Sequence, residues 1–299
     1  MQGNLTLFLE TFKDYPLDEL ELNVYAIADA AQDKRFLKVF EHLRQKCLLK
    51  EASGEKARAI SPHLLQLPRD FSSAEWSWVE RHVAGTASMT LIVTPVSFDL
   101  LFEHLRQFLE VEFEGGLEMV LAFWDPVILA TLVGHVEDQT LYVKEPVFSP
   151  EQIENLLRPI QSWWYWDRLA NLQAIFGLNQ KLDILPHYTT PLMFTVEQEE
   201  RMVEATLPDH LIYHLKLNHS FLVDKMDHYA LYQFVIDTLP QAREYHLSGT
   251  RDLLNFLCLK LMYGDHFNKD KDLQIVLAEL SKKVITMDEL MAKLMTKAG

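Results

Sequence analysis

The hydrophobic period changes once along this chain, near residue 190, and that change limits the architectures open to it. Before it, short apolar runs of strand length alternate with segments whose apolar residues recur every three or four positions; after it only the helical period remains. Alternation of this kind lays helices on a sheet, whereas successive helical segments pack on one another. The expected fold is an α/β (α+β) N-terminal lobe with a mixed sheet over residues 1–188 and an all-helical C-terminal lobe over residues 189–299. A chain of 299 residues that is 48% hydrophobic can fill one large core or two modest ones.

Within the first lobe, LNVYAIADAA (22–31) predicts a strand, and Phe36, Leu37, Phe40 and Leu43 predict a helix after it. KCLLKE and RAISPHLLQL predict two extended segments separated by the polar turn ASGEKA. Ser72 with Glu75 reads as a capping box opening a helix, and ASMTLIVTPV (87–96) as the next strand. Phe98, Leu101, Phe102, Leu105, Phe108 and Leu109 mark an amphipathic helix from Ser97. Gly115-Gly116 predicts a hairpin whose second strand runs into Asp125, and DQTLYVKEPVF (138–148) predicts another strand. Ser149, Pro150 and Gln152 announce a capped helix, and IQSWWYWDRLANLQAIFG a hairpin turning near Asp167 to Asn171. Thr195 with Gln198 and Thr286 with Glu289 are capping boxes in the helical half, where Met287, Leu290, Met291 and Leu294 share one face of the last helix.

Asp125 stands between two apolar runs, in MVLAFWDPVILATLV. As a hinge it caps the next helix with its side-chain oxygen, and Pro126 fills the first helical position, where a missing N–H costs nothing. As a catalytic acid it would need partners. Asp29, at another strand end, is one candidate, although it too stands where aspartate is a preferred helix cap. His210, His214 and His219 form H-x3-H-x4-H, and the first two would share a helix face as metal ligands do, but no Glu follows His210. The bland reading of all three is surface or core histidine. Cys258, inside LLNFLCLKLM, reads as a small inert hydrophobe. The nucleophile elbow, the Walker loop and the dinucleotide fingerprint are all missing, and ten scattered glycines build no phosphate cradle.

Trp163, Trp164, Tyr165 and Trp166 stand in a row; on a strand Trp164 and Trp166 share one face, Trp163 and Tyr165 the other. One pair can be core. The other must pack under the helical lobe or form an apolar patch for a partner, so all four, together with Trp124, are the expected partner-binding residues. A formal net charge of -15 argues against nucleic acid or an anionic membrane as partner. Cys47 and Cys258 are far apart, the N-terminus lacks a basic and apolar leader, and no 18-residue apolar run occurs, so a cytoplasmic protein with reduced thiols is expected.

VYAIADAA, ISPHLLQL, HLRQFLEV and FWDPVILATLV, in that order across residues 22 to 180, resemble the landmarks of the bacterial type VI secretion effector chaperones, also called adaptors. YHLSGTRDLLNFLCLKLMYGDHF is similar to a segment of their helical C-terminal part. The family pattern carries arginines at two positions that read Ala122 and Val127 here, so no contact built on them is carried over. The resemblance implies a cytoplasmic chaperone, not an enzyme and without cofactor, that holds one secreted effector protein and helps load it onto the VgrG-type spike protein. It also supports the hinge reading of Asp125. The rival expectation is a metal- or carboxylate-dependent hydrolase using Asp29 and Asp125 or the three histidines.

Overall fold

The computed structural model describes residues 5–15, 21–49, 54–181, 184, 186, 188 and 190–298. The chain divides into two compact units, Met1–Glu204 and Ala205–Gly299. The fold is α+β, with sheets in the first unit and helices in the second.

In chain order the first unit contains α1 (Thr6–Lys13), β1 (Asn23–Asp29), α2 (Arg35–Val39), β2 (Gln45–Cys47), α3 (Glu55–Arg58), β3 (Pro62–Gln66), α4 (Ala74–His82), β4 (Met89–Thr94) and α5 (Phe98–Arg106). Then come β5 (Glu110–Phe113), β6 (Glu118–Val120), α6 (Pro126–Val133), α7 (Pro150–Leu157), β7 (Ser162–Trp166), β8 (Leu172–Phe176) and β9 (Leu192–Phe194). Helix α8 (Val196–Asn218) crosses from one unit to the next.

Six strands form an antiparallel sheet in the order β2-β3-β1-β4-β7-β8. Every residue of β4 and of β7 is buried, because both faces of the sheet are covered. Strand alternation sorts the side chains into two clusters. Tyr25, Ile27, Leu64, Ile92, Trp163 and Tyr165 meet Leu101 and Leu105 of α5, Leu129 of α6 and Leu156 of α7. Val24, Ala26, Leu65, Leu91, Trp164 and Trp166 meet Phe8 of α1, Phe36 of α2 and Trp76 of α4. The unbroken apolar character of these strands follows from burial on both faces.

A smaller sheet runs β6-β5-β9, with β5 antiparallel to β6 and parallel to β9. Gly116 makes the hairpin possible at φ 77°, a backbone region that residues with a Cβ avoid.

Three local expectations are corrected. Residues 138–148 form turns rather than a strand: Val147 and Phe148 donate to Thr131 and Leu132 at the end of α6, and the Asp138 carboxylate accepts from the N–H and hydroxyl of Thr140. Those backbone groups have their partners without a neighbouring strand. Helix α4 takes Ser73 as its N-cap, because Ser72 is turned back to donate to Asp70 through both its N–H and its hydroxyl. Of the polar turn at 52–57, residues 52 and 53 lie outside the described residues and the rest begins α3.

The second unit continues α8 into α9 (Ser220–Val223), α10 (His228–Glu244), α11 (Thr250–Tyr263), a 3-10 turn at Gly264–His266, α12 (Lys271–Ser281) and α13 (Met287–Ala298). Its core includes Leu211, Leu215, Tyr232, Leu239, Phe256, Leu257, Leu277 and Leu290. Asp227 and Asp270 cap α10 and α12, and Thr286 and Glu289 bond reciprocally at the start of α13. Among the described residues no helix is long and apolar enough to cross a membrane.

Candidate interaction surface

Asp125 is the N-cap of α6. Its Oδ1 accepts from Val127 N at 2.9 Å and Ile128 N at 3.3 Å, and Pro126 occupies the first turn. The strand before it is shorter than expected: β6 ends at Val120, and a turn carries the chain to the cap. Asp29 does not cap a helix. Its carboxylate accepts from Ala31 N and Gln32 Nε2, organising the turn after β1, while α2 starts behind Lys34. Each carboxylate thus accepts hydrogen bonds from residues that follow it closely in the chain.

His210 and His214 stack edge to face on α8 with ring centroids 4.5 Å apart, and His219 precedes α9 beside Phe221. Among the described residues no group of three or more His, Cys, Asp or Glu side chains is placed to hold a metal ion. Cys258 is buried in α11, and burial pushes its thiol up to about 11. Cys47 is half-buried at the end of β2.

The tryptophan strand lies inside the protein. Trp163, Trp164, Tyr165 and Trp166 are at most 2% exposed, and Trp124 is 9% exposed. Trp163 Nε1 donates to Thr90 Oγ1, Trp164 Nε1 to Ser162 Oγ and Tyr165 OH to Asp138 Oδ2. Both pairs found cover, one on each face of the large sheet, so these residues fill the core instead of presenting a surface. Burial beside the Asp138 carboxylate raises the Tyr165 pKa far above that of a free phenol.

One apolar surface that stands open is the outer edge of the small sheet. Met119 and Val120 of β6 and Leu117 just before it are each more than half exposed, and Ile60 lies beside Met119 and Val120. An open groove of about 560 Å³ is lined by Leu49, Ala57, Ile60, Met119 and Val120, with Glu110 and Glu118 at its rim. Strand β5 faces β6 with Glu112 directly opposite Glu118 and Glu110 opposite Val120. Among the described residues, Glu110, Glu112 and Glu118 form no ion pair. The alternating EVEFEGGLEMV is visible in the sequence and predicts the hairpin. That β6 ends the sheet depends on the strand order, which no local pattern contains.

Residues 24–142 match the family model described as Domain of unknown function (DUF4123). This domain is known in type VI secretion effector adaptors. The DUF4123 match covers less than half of the chain, from β1 to beyond α6, and includes the open edge of β6 and Ile60. It ends before the tryptophan strand. No curated protein and no solved structure matches the chain.

Proposed function

We propose that this chain is a carrier without catalytic activity, which holds one secreted effector protein and helps load it onto the VgrG-type spike protein of a type VI secretion machine in the cytoplasm. The observation that carries this reading is the DUF4123 match at residues 24–142, in a domain known from type VI secretion adaptors. The structure supports it in two ways. The carboxylates that sequence reasoning considered for chemistry serve a helix cap and a turn. The first unit also keeps an apolar, acid-rimmed strand edge open, the type of surface that takes a protein partner.

Affinity purification of the tagged chain from the bacterium that makes it tests this reading. One large toxin-like protein should be recovered together with a spike protein. Recovery of neither, from a lysate shown to contain both, would overturn it.

A further inference from the structure

The edge of β6 is set up for one more strand. Phe113 N donates to Leu117 O at 3.0 Å and Leu121 N to Leu109 O at 2.7 Å, so the odd-numbered residues of this strand turn their backbone groups toward β5. By the alternation of an antiparallel ladder, the N–H and C=O of Glu118 and Val120 point the other way, out of the sheet. Among the described residues nothing bonds to them.

The side chains beside this edge differ between the two faces. Met119 lies on the face of Val111 and Leu121, both buried, and Ile60, Leu49 and Ala57 line one groove along the edge with Met119, Val120, Glu110 and Glu118. Glu118 and Val120 lie on the opposite face with Glu110 and Glu112. A glutamate directly opposite a glutamate on neighbouring strands is unfavourable, and no cation among the described residues offsets the Glu112 and Glu118 pair.

We propose that β6 binds an extended segment of another protein by strand addition, and that this segment alternates apolar residues with lysine or arginine. Its apolar residues continue the Met119 face beside the groove that Ile60 lines, and its cations meet Glu110, Glu112 and Glu118. Main-chain bonds hold such a strand while alternate side chains select it. A second copy of this chain is the wrong occupant, because two β6 edges paired on each other would add carboxylates to carboxylates. The inference rests on the carrier reading only for which protein owns the segment.

The test uses the purified full chain and two capped, labelled heptapeptides, Lys-Val-Lys-Val-Lys-Val-Lys and the same peptide with glutamate in place of each lysine. Val120→Pro removes an N–H that points out of the sheet and leaves the bonds to β5 intact, so the fold should survive, as proline does on edge strands. Fluorescence anisotropy should show the lysine peptide binding at least about tenfold more tightly than the glutamate peptide, with that binding falling at least about tenfold in V120P. In Glu118→Lys the preference between the peptides should shrink or reverse, which keeps the test decisive if V120P fails to fold. Slower amide exchange at Val120 on addition of the lysine peptide would place the strand. Equal binding by the wild type and a folded V120P, or no binding of the lysine peptide at millimolar concentration, would overturn the proposal and leave the glutamates as guards against edge-to-edge aggregation. Concentration-dependent dimerisation lost in V120P would overturn it in favour of self-pairing. Because the peptides are added to purified protein, failure here is separate from failure of the affinity purification.

Discussion

His104 is fully buried on α5, where Phe108 and Tyr188 pack against its ring. Its Nε2 lies 2.8 Å from Leu156 O, and since a carbonyl only accepts, that nitrogen carries the proton in the neutral ring. Burial depresses its pKa to about 4. Between that value and 6.5 the unfolded chain binds the proton and the folded chain does not, so stability is lost as pH falls from about 6.5 towards 4. The loss assigned to this residue is about 3 kcal/mol. His63 and His135, also lowered by burial, act in the same direction. Urea titrations from pH 7 to pH 4 should show a shallower decline for His104→Gln than for the wild type. Asp125→Ala should cost about 1 kcal/mol, the usual worth of a cap, and leave partner binding unchanged. Alkylation of the native protein should label half-buried Cys47 and spare buried Cys258 until urea is added, as mass spectrometry of the tryptic peptides would show. Of these residues Asp125 was readable in the sequence, because Asp-Pro before an apolar run carries both a cap and a helix start. Asp29 was not: the same residue type after a strand can as well organise a turn.

At the scale of elements, β7 holds the large sheet to both of its layers. Trp164→Ala should destabilise the protein by about 3 to 5 kcal/mol, since it empties a ring position on which Phe8 packs at 5.4 Å and Phe176 at 6.4 Å within the core. A drop in partner capture should then follow the drop in folded protein, as parallel denaturation and binding curves would reveal. Gly134, which ends α6 at φ 62°, is similarly constrained: a Cβ there would lie 2.7 Å from Pro146 N. Gly134→Ala should cost more than about 1 kcal/mol, measured by the shift of the urea midpoint. The tryptophan hairpin and the capping boxes at Ser149, Thr195 and Thr286 were readable because their signals are local. Whether the outer pair of aromatics met solvent or a helix was not, because α1, α2 and α4, which cover Trp164 and Trp166, come from sequence far upstream. The segment 138–148 misled for a related reason. Its apolar residues look strand-like, but Asp138 and the end of α6 capture its backbone groups.

For the whole molecule, the change of hydrophobic period announced sheet before helices, and the α+β fold has them in that order. Residues through Glu204, β9 included, group with the sheets, because β9 pairs with β5 across a long stretch of intervening chain. The proposed function rests on the resemblance, whose weight falls on the segment that the DUF4123 model matches. Asp125 and Asp29 serve a cap and a turn and Cys258 is buried in a helix, whereas the open strand edge emerges only once the chain is folded. The most direct measurement is of export: the gene for this chain is deleted in the bacterium that makes it, and effectors released by the type VI machine are quantified by mass spectrometry. One effector should disappear from the released fraction and return when the intact chain is supplied, while spike assembly and the other effectors continue. Undiminished release of every effector in the deletion strain would contradict it.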